Sequence, residues 1–254
     1  MTSVYIEEPD LSIAWGLALQ RSRQPVIRDL IPLTVSITGF SAQGVVSENN
    51  AIRAQLDLTL KSLGKQSVHS VANTIFPHAL WNQTRPRSEL YSRYHAILPQ
   101  LRSASSKNRH GLYFERMLSG GPVGAENQLE FAIAAYTARP GVRRSMLQVS
   151  VFQPTRDHST AAMRGFPCLQ HLTFAPAPEG LCVNAFYATQ YLVERAYGNY
   201  LGICRLGQFV AHEIRVPLAR VTCFTGIAEF DATKAAITDV SKVIAAALGD
   251  GQEG

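Results

Sequence analysis

The sequence predicts an α+β fold: one domain over residues 1–254, built as a mixed sheet flanked by helices. Apolar residues alternate with a period of two in several segments and recur with a helical period in others, and turn residues join two adjacent strand segments as a hairpin. A chain of 254 residues that is 46% hydrophobic is long enough for one globular domain or two small ones. We expect the single domain.

The first 110 residues look irregular, with turn-prone segments between a few recognisable elements. Residues 34–40 (TVSITGF) alternate as a strand, and the apolar segment 70–81 contains Pro77, which should end or kink a helix. Residues 90–101 form an amphipathic helix pattern, with one apolar face made of Leu90, Tyr94, Ile97 and Leu101.

The second half has a more regular pattern. A helix beginning near Glu126 should break at Pro140-Gly141. The segments that follow are predicted as a strand (143–154), two strands joined by the turn PAPEG (168–189), a buried helix (199–214), a strand (218–230) and a final helix (231–248). Asp231 or Thr233 is expected near the cap of the last helix.

The net charge of +5, with a pI near 9.1, favours anionic ligands. This charge is far below that of a histone-like protein, so a phosphate-bearing small molecule suits the composition and nucleic acid is not the expected partner. The mean hydropathy is −0.01, no apolar run approaches the roughly 18–20 residues of a membrane span, and the N-terminal residues lack a secretory pattern. We therefore expect a cytoplasmic protein without a membrane partner.

The four cysteines are separated by 14, 22 and 19 residues and include no Cys-X-X-Cys pair. This spacing predicts neither a structural zinc site nor any other metal site. Each thiol is therefore either a small buried apolar group or a candidate nucleophile.

Three short motifs follow one another in the second half of the chain. They are Arg139-Pro140-Gly141-Val142-Arg143-Arg144, then the strand end Val149–Pro154, then Pro167-Cys168-Leu169-Gln170, with Cys168 placed 24 positions after Arg144. Their order and spacing resemble the catalytic half of the thymidylate synthases and the related pyrimidine nucleotide hydroxymethylases. The resemblance covers about residues 126–240 and extends weakly back through 70–77 to 34–40.

The resemblance implies a nucleophilic role for Cys168, whose thiolate would add to C6 of a pyrimidine ring and make C5 attack a one-carbon electrophile. It also implies methylene-tetrahydrofolate as a possible carbon donor. Arg143 and Arg144 would bind the nucleotide phosphate of the partner subunit in a homodimer. Gln190 and Glu194 fall in the segment that binds substrate in the family, and Asn199 is a candidate for reading the base.

Several family positions differ in this chain. Tyr191 stands where the family has an arginine that binds phosphate and lowers the cysteine pKa, and Gly202 stands at the base-reading position. Thr74 replaces the general-acid/base glutamate, Phe230 and Ala232 replace the ribose-binding His/Tyr pair, and the polar tail LGDGQEG replaces the apolar C-terminus that closes over folate. Glu229 or Asp231 could substitute for the ribose contacts.

Two functions from different classes remain open. The preferred one is a divergent thymidylate-synthase-like enzyme that transfers a methyl or hydroxymethyl unit to C5 of a pyrimidine nucleotide or related ring. The alternative is a non-catalytic protein of that fold, which binds a nucleotide-like anion or a protein partner. In that case Cys168 is a core thiol, and Arg143 and Arg144 form a solvated turn.

The histidines indicate no catalytic triad. His171 lies three residues after Cys168 on the same predicted strand, so it should point away from the thiol, and His212 lies near a helix end.

The strands of the second half are apolar on both predicted faces. Leu147, Val149 and Val151 alternate with Met146 and Phe152, and Leu169 and Phe174 are expected opposite Cys168 and Leu172. Helices of one chain cover one face of a sheet, so the other face should form a homodimer interface.

Overall fold

An open, mixed seven-stranded sheet flanked by helices organises the chain in the computed structural model. The structure describes residues 3–23, 29–105, 108, 110–121, 124, 126–139, 141–160 and 167–250. This architecture confirms the predicted mixed sheet with flanking helices.

The strands are β1 (Val4–Glu8), β2 (Asp29–Leu30), β3 (Leu33–Ile37), β4 (Gln148–Ser150), β5 (Leu169–Ala177), β6 (Gly180–Tyr191) and β7 (Leu218–Glu229). They lie side by side in the order β1-β3-β7-β6-β5-β4, and β2 also pairs with β7. The pairs β1/β3 and β6/β7 are parallel, whereas β3/β7, β2/β7, β5/β6 and β4/β5 are antiparallel.

The helices are α1 (Leu11–Ser22), α2 (Asn50–Ser62), α3 (Val68–Ile75), α4 (Arg87–Ser103), α5 (Tyr113–Met117), α6 (Gln128–Ala138), α7 (Pro154–Asp157), α8 (Tyr197–Ile214) and α9 (Thr238–Asp250). A π-helical turn over Leu192–Ala196 leads into α8. No helix in the described ranges is both long enough and apolar enough to cross a membrane.

The predicted irregularity of the first 110 residues is wrong, because two capped helices lie there. Asp10 accepts hydrogen bonds from the backbone of Ser12 and Ile13 at the start of α1, and Asn49 caps α2 in the same way. Helix α1 is buried on most sides, so no single apolar face shows in its sequence.

Other predicted elements are shorter than expected. The strand predicted over 143–154 is only β4, because a 3₁₀ turn (Arg144–Met146) precedes it and α7 follows it. Segment 70–81 divides as expected near Pro77, with α3 ending at Ile75. The last helix begins at Thr238 rather than at Asp231. Pro140, at the predicted helix break, lies outside the described residues.

Helix α8 lies against both the sheet and α3, and glycine permits its close approach to α3. A Cβ on Gly198 would lie 2.6 Å from the Val71 Cβ, and a Cβ on Gly202 would lie 2.9 Å from the Ala72 carbonyl oxygen. A larger residue at either position would therefore push the two helices apart.

One face of the sheet packs on the helices. Within the described ranges no helix covers the other face, which we call the open face. The buried face of β5 carries Leu169, Leu172 and Phe174 together, because a bulge between Leu169 and His171 shifts the alternation. Leu147, Val149 and Val151 are also buried. The expected apolar character of both faces of β4 and β5 is thus wrong, since their open face carries Gln148, Ser150, His171 and Thr173.

Candidate functional site

Cys168 lies immediately before β5, half-buried at the edge of the core. Its carbonyl oxygen accepts a hydrogen bond from the Ala188 amide at 2.9 Å, and its Sγ lies 3.6 Å from the Thr189 Oγ1. Strand β6 therefore holds the thiol beside a hydroxyl that can exchange a hydrogen bond with it.

The alternation of buried and exposed residues shifts in three neighbouring strands at the height of Cys168. In β6 the buried residues follow every second position as far as Tyr187 and then continue at Gln190, and in β7 the same step occurs from Thr225 to Ala228. The β5 bulge lies at the same height, where Leu169 pairs with Tyr187. Three neighbouring strands are thus irregular together beside Cys168, as is common next to functional sites.

Tyr113, in the first turn of α5, also contacts the Cys168 segment. Its hydroxyl faces the backbone of Leu169 and Cys168, which opposes a rise in its pKa. Burial, and next the neighbouring Cys168, raise the pKa of Tyr113 above its ordinary value. The sequence analysis missed this residue, because Gly111-Leu112-Tyr113 carries no periodic or charge signal.

The guanidinium of Arg195 places a positive charge near the Tyr113 hydroxyl. Arg195 is half-buried, and it donates hydrogen bonds to the Gln66 Oε1 at 2.7 Å and to the Glu194 Oε1 at 2.8 Å. Its charge opposes the rise in the Tyr113 pKa, so the guanidinium lies within electrostatic range of that hydroxyl. Sequence reasoning considered the family position now occupied by exposed Tyr191 and missed the arginine four residues later.

Glu194 is held in place from two sides. Its side chain accepts a hydrogen bond from the Lys65 Nζ at 2.7 Å as well as the one from Arg195. Its backbone amide and that of Val193 donate to the Asp231 carboxylate at 3.0 and 2.7 Å. Asp231 therefore anchors the turn before α8 and does not cap the last helix, and burial raises its pKa although the two amides oppose the shift.

Gln190 and Asn199, both predicted to bind substrate, are buried. The Gln190 Oε1 accepts a hydrogen bond from the Thr225 hydroxyl at 3.3 Å, and its Nε2 has no hydrogen-bond partner among the described residues. Asn199 lies in the first turn of α8. Of the two, Gln190 retains a buried donor that a ligand could satisfy.

Arg143 and Arg144 lie far from Cys168 of the same chain. Both are exposed and precede β4, in which Gln148 pairs with Thr173. Thr173 is five residues from Cys168 along β5, which corresponds to about 16 Å at ~3.3 Å per residue. The fold therefore does not bring these two arginines and Cys168 into one intrachain site.

The replaced family positions are occupied by packed groups. The Thr74 hydroxyl donates to the Val71 carbonyl within α3 at 2.7 Å, and Gly202 faces α3 rather than an opening. Phe230 packs against the core with Ala232. None of these residues presents a polar group for substrate in this arrangement.

The other three cysteines differ from Cys168 in their surroundings. Cys204 and Cys223 are buried, and burial raises the pKa of both thiols. Cys182 is half-buried on the open face, where it pairs with Arg220. Access therefore limits a nucleophilic role to Cys168 and Cys182.

His171 lies on the open face and forms its own hydrogen-bond group. Its Nε2 lies 2.8 Å from the Gln148 Oε1, and its Nδ1 lies 3.3 Å from the Ser150 Oγ. Burial lowers its pKa. Within the described ranges, no cluster of three or more His, Cys, Asp or Glu residues could hold a metal ion.

No protein-family model matches this sequence, and no curated protein matches it either.

Proposed function

We propose that this protein has a thymidylate-synthase-like fold and is a divergent enzyme that uses Cys168 as its nucleophile. Its substrate is a pyrimidine nucleotide or a related ring, and the product carries a methyl or hydroxymethyl unit at C5. Methylene-tetrahydrofolate is the candidate carbon donor. The single observation that carries the proposal is the half-buried thiol of Cys168, flanked by the hydroxyls of Thr189 and Tyr113.

The proposed chemistry needs a thiolate next to a planar ring. The sulfur adds to C6, the electron pair moves to C5, and C5 attacks the one-carbon electrophile. Loss of the C5 proton then expels tetrahydrofolate and leaves an exocyclic methylene group on C5. Hydride from tetrahydrofolate, which becomes dihydrofolate, would give the methyl product, whereas water would give the hydroxymethyl product, and either addition expels the sulfur and restores the ring. Thr189 is placed to hydrogen-bond the sulfur at 3.6 Å, and the Tyr113 hydroxyl lies beside the backbone that carries the thiol.

A cation beside the thiol favours its ionised form. Arg195 is our candidate, because its charge acts on the Tyr113 hydroxyl, which lies beside the Cys168 backbone. Glu194 and Gln66 fix the direction of the guanidinium. In this proposal, Arg195 takes over the electrostatic role for which Tyr191 is unsuited.

The proposal includes a homodimer that joins two open sheet faces. The open face carries Phe186 and Phe224, each more than one-third exposed, beside polar residues of β3, β4 and β5. A second copy is a natural cover, because a two-fold contact uses the same patch twice. Arg143 and Arg144 would then serve the partner's site, in keeping with their distance from Cys168 in their own chain.

A covalent adduct tests the function directly. The protein is incubated with 5-fluoro-dUMP, 5-fluoro-dCMP and their ribonucleotide forms, with and without methylene-tetrahydrofolate, and its intact mass is measured. We expect a mass increase of one nucleotide, with or without the carbon unit, which peptide mapping places on Cys168.

Two variants control this experiment. Cys168→Ser should abolish the adduct, whereas Cys182→Ser should leave it unchanged because Cys182 lies on the open face. No adduct with any of the four nucleotides, at concentrations that saturate binding, would overturn the catalytic proposal.

One residue favours the non-catalytic alternative. Thr74 stands where the family has its general-acid/base glutamate, and its hydroxyl donates a hydrogen bond to the Val71 carbonyl. In this case the protein binds a nucleotide-like anion, or a protein partner, without forming an adduct. Isothermal titration calorimetry with dUMP and dCMP separates the two functions. Equal affinity in wild type and Cys168→Ser, with no adduct in wild type, would indicate a binding protein.

A further inference from the structure

A cleft of about 920 Å³ lies at the end of the molecule opposite Cys168. Its walls come from the start of α4, the end of α6 and the C-terminal turn of α8 with the loop that follows. Cys168 lies near the other end of α8, which spans 18 residues and hence about 27 Å at ~1.5 Å per residue. This second cleft is therefore separate from the proposed catalytic site.

An ion-paired arginine lies on the wall of the cleft. Arg87 donates two hydrogen bonds of 2.7 Å to the Glu130 carboxylate and a third of 3.3 Å to Glu213. Its guanidinium is thus committed to protein carboxylates, and the two carboxylates are largely neutralised by it. This part of the wall is rigid and does not supply a free cation.

Two further arginines that line the same cleft do not form close hydrogen-bonded ion pairs with protein carboxylates. Arg85 approaches only Glu89, at 3.8 Å, and both side chains of this pair are well exposed. Arg215 forms no ion pair or side-chain hydrogen bond with any residue that the structure describes. Both guanidiniums therefore remain available to an anion.

The backbone of Arg215 is unusual as well. With φ 59° and ψ 45°, it is the one non-glycine residue of the described ranges with a positive φ. It follows the last turn of α8, where its amide bonds to the Ala211 and His212 carbonyls, and glycine is the residue usually found at this position. A long cationic side chain thus occupies a position where it destabilises the backbone, and such outliers cluster at functional sites.

Aromatic and hydroxyl side chains complete the cleft. Tyr91 and Tyr136 line it with Thr137 and Ser88. Flat apolar rings beside two cations suit a small molecule with an aromatic body and an anionic group.

We propose that this cleft binds a small aromatic anion, with Arg85 and Arg215 holding a phosphate or carboxylate group and the tyrosines contacting the ring. The site is independent of Cys168 and does not require the proposed catalytic function.

Arg215→Gly gives a sharp test, because it separates binding from stability. Glycine removes the guanidinium and also the strain of the positive φ, so this variant should melt about 2–4 °C higher than wild type. Its affinity for the probe phenyl phosphate should nevertheless fall at least about tenfold, measured by isothermal titration calorimetry. Arg85→Ala should show a similar loss of affinity with an unchanged melting temperature.

Two further probes identify the ligand chemistry. Benzoate separates carboxylate from phosphate binding, and inorganic phosphate shows how much the ring contributes. Arg21→Ala is the matched control, since it removes an exposed arginine of α1 that does not line the cleft and should bind the probes as wild type does. No saturable binding of any probe to wild type, or equal binding by Arg215→Gly and wild type, would overturn the proposal.

Discussion

Phe186 and Phe224 stack face to face on the open side of the sheet, with ring centroids 5.3 Å apart and planes 12° from parallel. They are direct register partners on β6 and β7, and they remain 42% and 37% exposed. Two stacked rings in water, on a face that no helix of the described residues covers, are typical of an interface.

A charge on this stack should therefore separate the proposed dimer. We expect Phe224→Glu to weaken dimerisation by at least ~100-fold, about 2.7 kcal/mol, because the buried carboxylate would lack a partner. Analytical ultracentrifugation at micromolar concentration measures the effect, with Leu58→Glu on exposed α2 as the control. A wild-type protein that is monomeric at 100 μM would contradict the dimer.

Charges on the opposite face should act differently. Val149 and Val151 are fully buried against the helices, so glutamate at either position should unfold the protein rather than dissociate it. Circular dichroism distinguishes the two outcomes. A folded monomeric Val149→Glu variant would show that the two faces have been assigned the wrong way round.

Mixing two inactive variants tests the proposed action of Arg143 and Arg144 on the partner's site. Cys168→Ser and the double variant Arg143→Ala/Arg144→Ala should each fail to form the fluoronucleotide adduct. If the arginines act across the two-fold axis, random re-association should restore about one quarter of the sites. If no adduct appears in the mixture while the dimers exchange, the arginines do not act in trans.

Alkylation should distinguish the four thiols. We expect iodoacetamide to label Cys168 and Cys182 before Cys204 and Cys223, because burial hinders access to the last two and raises their pKa values. Dimer formation should also protect Cys182, which lies on the open face. Peptide mass spectrometry over time gives the four rates. Labelling of all four cysteines at one rate in the native protein would contradict this order.

The buried pair Arg116 and Asp157 should dominate acid stability. Arg116 donates hydrogen bonds of 2.8 and 2.9 Å to the two Asp157 oxygens, and both side chains are 2% exposed. Burial acts to raise the pKa of Asp157, but the Arg116 hydrogen bonds outweigh it and hold that pKa below the ordinary value. The stabilisation is therefore present above pH ~4 and is lost as the pH falls through the lower folded-state pKa.

Urea denaturation of Asp157→Asn measures this contribution. We expect a loss of about 3–5 kcal/mol at pH 7, because Arg116 would remain buried without a counter-charge. Arg116→Met/Asp157→Leu is the control, since it removes both charges and should recover much of the loss. A loss below 1 kcal/mol in Asp157→Asn would show that the pair is not important for stability.

The sequence alone determined the features that depend on local periodicity. The alternation in β6 and β7, the amphipathic pattern of α4 and the turn near Pro77 all follow from residues that are close in the chain, and the structure confirms these elements. The capped start of α1 at Asp10 was also present as a local signal, although its uniformly buried helix hid it.

The tertiary structure decided which groups meet. Tyr113 and Arg195 belong to segments that are 55 and 27 residues away from Cys168, and no local pattern relates them to the thiol. The bulge beside Cys168 also determined which side chains of β5 are buried, because one extra residue turns every following side chain to the opposite face of the sheet. Such contacts depend on long-range packing and strand register, which a period read along the chain does not contain.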